Sequence, residues 1–251
     1  MDFREIQQTG FTQDYEINNS RYSSSVRTAE NSNLILDGLS AEMRRVLEPS
    51  LRSVILRKEQ FLYQEEDHLE YIYFPITAVV SEFKMLEDGR MVEISVTGKE
   101  GAVGLSALFS DSNVVSNCVQ VSQAGQAKRV DAVTFEKLLR TNEKIRTGLS
   151  HFVDTYIRQI SQKAICNMYH SVRERFCTCL LMIQDRCGLK TLDLTHEQIA
   201  RTLGVYRPSV TNIAQELREC SMINYSRGGI LIRDRKRIEQ AACSCYVAIG
   251  A

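Results

Sequence analysis

No stretch of this 251-residue sequence approaches the run of about 18 apolar residues that a membrane-spanning helix needs. Its first 33 residues also lack the apolar core and small-residue cleavage site of a secretory signal, so a cytoplasmic chain is expected. Net charge is absent: 31 Lys and Arg balance 31 Asp and Glu, so overall composition does not favour nucleic acid. The four histidines, His68, His151, His170 and His196, lack zinc-hydrolase spacing, and no phosphate loop or nucleophile motif is present. Gly98-x-x-Gly101-x-x-Gly104 is no dinucleotide fingerprint, because a β series rather than a βαβ unit follows it. No enzyme is expected, and no catalytic residue is assigned. The positions of the eight cysteines do not resemble a structural zinc site, which usually uses two short pairs of the Cys-x-x-Cys kind. Cys177 and Cys179 form one Cys-x-Cys pair and Cys243 and Cys245 another, with Cys187 eight residues beyond the first. Reduced thiols, with no metal or cofactor, are the expectation in a cytoplasmic chain.

What is present suits packed cores, at 43% apolar and 25% charged residues. The zero net charge also conceals an asymmetry. Residues 1–170 hold 19 Lys and Arg against 23 Asp and Glu, whereas residues 171–251 hold 12 against 8. A basic C-terminal part on an acidic N-terminal part is expected when only one end meets phosphate. The chain divides at sequence level into four parts. Residues 1–33, rich in Gln, Asn, Ser and Thr, read as a flexible arm. Residues 34–140 form a sensor domain: a short helix capped by Ser40, then seven short strands between Val54 and Val130, then a helix capped by Asp131. Such strands indicate an antiparallel barrel or sandwich.

Residues 141–170 form one long helix with two apolar stripes. Ile145, Leu149, Phe152 and Tyr156 make the first; Val153, Ile157, Ile160 and Ala164 make the second. One stripe suits the β domain and the other a partner helix, so Leu149, Phe152, Val153, Tyr156, Ile157, Ile160 and Ala164 are assigned to dimerisation. Burial of both stripes within a monomer is the alternative.

Residues 171–251 carry the most informative pattern. Thr195 caps a short helix with Gln198 at its third position, and Ile199, Ala200 and Leu203 form its buried face. Gly204 turns the chain, Pro208 falls in the first turn of the next helix, and Val210, Ile213, Ala214 and Leu217 form its stripe. Two short helices joined through glycine are a helix-turn-helix, whose second helix enters the major groove. The exposed residues suit base edges and phosphates: Thr195, Tyr206, Arg207, Ser209, Thr211, Asn212 and Gln215. Ile223 to Ile232 reads as a hairpin with a Gly-Gly turn, a wing that offers Arg227 to the backbone of double-stranded DNA.

From Leu194 through Ala200 and Val205 through Thr211, in an order of β-roll, long helix and winged helix-turn-helix, the chain resembles the Crp/Fnr superfamily. That resemblance implies a bacterial α+β fold, a homodimer, an inverted-repeat operator and RNA polymerase as a further partner. Arg207 matches the family arginine that reads guanine. The next position, usually acidic, is Pro208, and the position five beyond Arg207, often arginine, is Asn212. The family's nucleotide loop corresponds to Gly101, Ala102, Val103, Gly104 and Leu105, with Ala102 in place of the ribose-binding glutamate. Ser116 and Asn117 stand where the phosphate-binding Arg-Ser pair is expected, so cyclic AMP is not the expected effector. The first cysteine is Cys118, which removes the N-terminal ligands of the cluster-binding members; haem is not expected either. Two alternatives stay open beside a dimeric regulator that is either constitutively competent or switched by an unidentified signal. One is a sensor of a different small ligand. The other is a thiol or metal redox sensor using Cys177, Cys179, Cys187 or the Cys243/Cys245 pair.

Overall fold

A computed structural model describes residues 32–249 apart from 109, 111, 227 and 228. The proposed arm over residues 1–31 and Arg227 of the wing lie outside the described residues. Asn33, counted at sequence level with the arm, is buried and caps α1 (Leu34–Asp37) through its side-chain oxygen. Its amide donates to the carbonyls of Pro75 and Gly101, both at 2.8 Å. Ser40 then caps α2 (Ala41–Leu47) by accepting from the Met43 N–H.

Seven strands follow: β1 (Arg52–Leu56), β2 (Phe61–Tyr63), β3 (Tyr71–Pro75), β4 (Val79–Met85), β5 (Met91–Thr97), β6 (Cys118–Gln123) and β7 (Gly125–Asp131). All pair antiparallel, in two sheets of order β1-β7-β3 and β2-β6-β4-β5. This is the expected β-roll. Gly125 opens β7 opposite Leu56. The short helix α3 (Leu105–Leu108) interrupts the series after the glycine-containing loop. Asp131 caps α4 (Ala132–Thr141) through the Thr134 N–H. A core of Leu56, Ile72, Phe74, Val80, Val103, Val119, Val130 and Phe135 fills the roll, and Leu47 and Leu149 close it.

Helix α5 (Glu143–Tyr169) separates its two stripes as their spacing predicts. Ile145 and Leu149 are buried in the roll's core, Phe152 fills the space a side chain at Gly101 would need, and Tyr156 donates to Glu82 at 2.6 Å. Leu149, Phe152 and Tyr156, assigned above to a partner-facing seam, are therefore committed to the chain's own roll. Hydrophobic burial claims them because they share a helix face with Ile145. The second stripe is different: Ile157 is 57% exposed and Ala164 is exposed, continuing to Ile165, Met168 and Tyr169 at 48%, 75% and 76%.

Helix α6 (Val172–Cys187) starts in a reciprocal Ser171–Glu174 capping box and stops at Gly188. After β8 (Thr191–Leu192) come α7 (His196–Leu203), α8 (Arg207–Glu219), the hairpin β9 (Ile223–Ser226) and β10 (Gly229–Ile232), and then α9 (Arg235–Ala241) and α10 (Cys245–Ile249). The small sheet runs β8-β10-β9. A second core joins Phe176, Leu180, Leu181, Ile199, Val210, Ala214, Leu217, Ile230 and Ile238, and it reaches Val79 and Val96 of the roll.

Polar groups fasten this C-terminal part to the roll. Glu93 of β5 is 4% exposed. One of its carboxylate oxygens pairs with Lys163 of α5, and the other accepts from Thr202 of α7 at 3.2 Å. Arg186 of α6, 3% exposed, meets Glu100 at 2.7 Å, and Lys58 meets Asp193 at 2.6 Å. Removing one partner of a buried ion pair leaves the other charge uncompensated, whereas an exposed pair contributes little. Glu93→Ala is therefore expected to destabilise the chain by about 3 kcal/mol in denaturant unfolding. A loss as small as that from cutting the exposed Arg158–Asp154 pair would contradict this role for Glu93.

Candidate nucleic-acid interface

The helix-turn-helix is built by local chemistry. Thr195 accepts from the Gln198 N–H, and the Gln198 side chain accepts from the Thr195 N–H at 2.9 Å, so the start of α7 is closed reciprocally. Gly204 then adopts φ +64°, a left-handed conformation that costs glycine nothing, and this turns the chain into α8. Val210, Ala214 and Leu217 are fully buried on the inner side of α8. Arg207, Ser209, Thr211, Asn212 and Gln215 are all exposed on its outer side, and Tyr206 before it is 83% exposed. The predicted reading face is thus one continuous surface. Arg207 and Asn212 supply the side chains able to make paired hydrogen bonds to guanine and adenine. Gln215 is held by Glu219 at 3.0 Å, and Thr195 has its hydroxyl in the capping box, so both are positioned by neighbours within the chain.

Thr211 is also occupied. Its hydroxyl donates to the Arg207 carbonyl at 3.1 Å and lies 3.0 Å from His196 Nδ1. Because the Thr211 proton is already used, the neutral His196 ring donates from Nδ1 and accepts the Tyr225 hydroxyl at Nε2, 2.9 Å away. His196 therefore ties together the first helix of the motif, the reading helix and the wing strand. Arg218 stacks over the Tyr225 ring at 5.7 Å. Neither His196 nor Tyr225 stood out in the sequence, because their pairing spans 29 residues and belongs to no short motif.

The residues of the expected effector pocket do not form one hydrogen-bonded group among the described residues. Ala102, Val103 and Leu105 are buried in the roll's core, Val103 pairs with Tyr73, and Gly104 has φ +95°. Ser116 is exposed and its carbonyl accepts from Lys84 at 3.0 Å. Asn117 directs its amide to Glu82 at 3.4 Å. Burial pushes the Glu82 carboxyl above its ordinary range, and donation from Tyr156 and Asn117 offsets part of that rise.

A third constellation lies where α5 ends. Cys166, His170, Cys243 and Cys245 bring their sulfurs and a ring nitrogen within 4.8 Å of one another. The spacing in sequence did not reveal it, since Cys166 and Cys243 are 77 residues apart. Cys177, Cys179 and Cys187 are buried outside this group, and burial raises each of their thiols.

Residues 53–142 match the family model of the cyclic nucleotide-binding domain, and residues 174–241 match that of the Crp-like helix-turn-helix domain. The chain is similar to the anaerobic regulatory protein of Bacillus subtilis, with 22% identity over 85% of this chain and 94% of that one. It is also similar to the CRP-like cAMP-activated global transcriptional regulator of Mycobacterium tuberculosis, at 20% identity over 83% and 96%. Among solved structures, FixK2 from Bradyrhizobium japonicum has the same fold, with a TM-score of 0.64, 18% identity, and coverage of 77% and 98%. No described helix is long and apolar enough to cross a membrane.

The His196 tie has a pH signature. Burial, and then the nearby Arg207 charge, hold the imidazole below its ordinary pKa. The unfolded chain therefore takes up this proton first, so the stabilisation is complete above about pH 7 and is lost as pH falls through the histidine range. Unfolding midpoints of the wild type and His196→Ala should differ most at pH 8 and converge near pH 5. A difference independent of pH would mean that the ring's neutral state does not matter.

Proposed function

The chain belongs to the Crp/Fnr superfamily of DNA-binding transcription regulators, and from that premise we propose that it is a cytoplasmic homodimer reading an inverted repeat through Arg207 and Asn212 without cyclic AMP. The observation that carries this reading is the outer side of α8, where these two side chains stand exposed on a helix anchored by Val210, Ala214 and Leu217. Ser209 and Thr211 lie on the same side, and Tyr206 and Thr195 flank it, suited to neighbouring bases and phosphates. Arg227, which follows β9 in the sequence, is assigned to a phosphate.

Independence from cyclic AMP rests on the roll. Ser116 and Asn117 occupy the positions where the resemblance calls for a cation and a hydroxyl, and Asn117 engages a buried carboxyl group. Ala102 offers no polar group to a ribose. A cyclic phosphodiester needs charge-assisted donors, which these residues do not supply. Arg207→Ala should weaken specific binding about tenfold to a hundredfold and relax preference at one position of each half-site. Binding by the wild type should be unchanged when cyclic AMP is added. Selection from random DNA followed by footprinting reads both effects. Unaltered affinity and preference in Arg207→Ala would remove α8 as the reading helix.

Dimerisation through α5 rests on the exposed Ile157, Ala164, Ile165 and Met168, with the half-buried Ile160 and Val153 beside them. A contiguous apolar strip on a long helix is the usual seam of a two-helix contact. The double change Ile157→Glu, Ile160→Glu puts charge on that strip. It should yield a folded monomer in analytical ultracentrifugation that binds the operator weakly. A variant that remains dimeric would exclude this helix as the seam.

A further inference from the structure

We propose that Cys166, His170, Cys243 and Cys245 bind one tetrahedral divalent ion of the zinc class, clipping the end of the described chain to the end of α5. Three thiolates and one imidazole are a donor set that structural zinc uses, with all four positions filled by protein.

The site is assembled by two short local pairs. Cys166 lies in the last turn of α5 and His170 is the residue just past its end, whose N–H still donates to the Cys166 carbonyl at 3.2 Å and so keeps the two about one turn apart. Cys243 and Cys245 lie in and beside the turn between α9 and α10. That turn is pinned from outside the cluster: Tyr246 donates to Asp185 at 2.6 Å, and Arg235 reaches the same carboxylate at 2.7 Å. The cysteines are thus held against α5 by bonds that do not involve the thiols.

The spacing matches a single ion. Zinc–sulfur bonds of about 2.3 Å and zinc–nitrogen bonds of about 2.0 Å put tetrahedral ligand atoms roughly 3.5–3.8 Å apart. Here Cys166 Sγ and Cys243 Sγ are 3.4 Å apart, Cys245 Sγ and His170 Nδ1 are 3.3 Å apart, and no pair exceeds 4.8 Å. A four-iron cluster needs its ligands spread around a cube of metal and sulfide, and these atoms are too close together for that.

The surroundings suit thiolates. Cys166, Cys243 and Cys245 are no more than 5% exposed. The Thr178 hydroxyl lies 3.1 Å from Cys243 Sγ while its oxygen accepts the Cys243 N–H, which leaves its proton for the sulfur. Gln162 donates its amide to Cys245 Sγ at 3.0 Å. Such outer hydrogen bonds orient metal-bound sulfur and temper its charge. Metal binding is coupled to deprotonation of its thiol ligands, and a divalent cation offsets the charge of the thiolates it holds.

The test uses the full chain purified under reducing conditions. Elemental analysis should find about one zinc per chain, and Co²⁺ added to chelator-stripped protein should give the intense visible bands of a tetrahedral ion with thiolate charge transfer. Cys243→Ser and His170→Ala should lose most of this binding, whereas Cys220→Ser, at an exposed cysteine outside the cluster, should keep it. Chelation of the wild type should lower its melting temperature, a readout that needs no variant. Three outcomes overturn the proposal: reduced wild-type protein that takes up neither ion, stoichiometric iron with acid-labile sulfide, or metal binding unchanged in Cys243→Ser. None of these bears on whether α8 reads DNA, so the two readings fail separately.

Discussion

Glu93 is the point on which the two halves of the molecule meet. A carboxylate buried inside β5 is tolerable only if opposite charge and hydrogen-bond donors converge on it, and here they come from different elements. Lys163 arrives from the long helix and Thr202 from the first helix of the DNA-reading motif. The carboxylate therefore specifies which face of α5 lies on the roll and where α7 docks. Gln159, one turn before Lys163, donates to the Val96 carbonyl at 2.9 Å and fixes the same register by a neutral bond. With α5 so oriented, its other face, with Ile157, Ala164, Ile165 and Met168, is left to solvent.

The same docking explains the charge pattern. The roll presents Glu59 and Glu100 toward the C-terminal part, which answers with Arg201 and Arg186, and within that part Arg235 pairs with Asp185. Several of the basic residues that give the C-terminal part its positive balance are thus spent within the chain. Arg207 is not among them, and neither is it covered. The positive charge left for a polyanion is smaller than the composition suggests.

Local rules carried most of the fold. The strands, the Ser40, Asp131 and Thr195 caps, and the turn at Gly204 depend on residues within about four positions of each other, which is the range over which sequence spacing reports geometry. The two stripes of α5 were legible for the same reason. Their partners were not, because the choice between roll and second chain depends on contacts such as Phe152 with the backbone at Gly101, 51 positions away. The exposed face of α8 followed from periodicity, but the engagement of Thr211 by His196 did not. The cysteine group was illegible in a different way. A search for two short Cys-x-x-Cys pairs passes over a set made from a helical Cys–His pair and a distant Cys-x-Cys, and only the packing of α10 on α5 joins them.

That packing gives the cluster its mechanical position. Cys166 and His170 lie at the end of the helix whose exposed stripe runs through Ile165, Met168 and Tyr169. Cys243 belongs to the core that also contains Leu217 and Ile238, beneath the reading helix. A bond among these four side chains therefore spans from the end of the long helix to the scaffold of the helix-turn-helix. The His170–Ser171 junction, where α5 gives way to α6, lies within this span and is the shortest covalent route between the two. Strengthening or releasing the non-covalent route changes how rigidly α8 follows α5, and in a two-fold dimer that rigidity determines the separation of the two reading helices. Glu93 of the roll meets the same helix at Lys163, three residues before Cys166. Both contacts fall on α5, so the roll and the cysteine group bear on a single structural element.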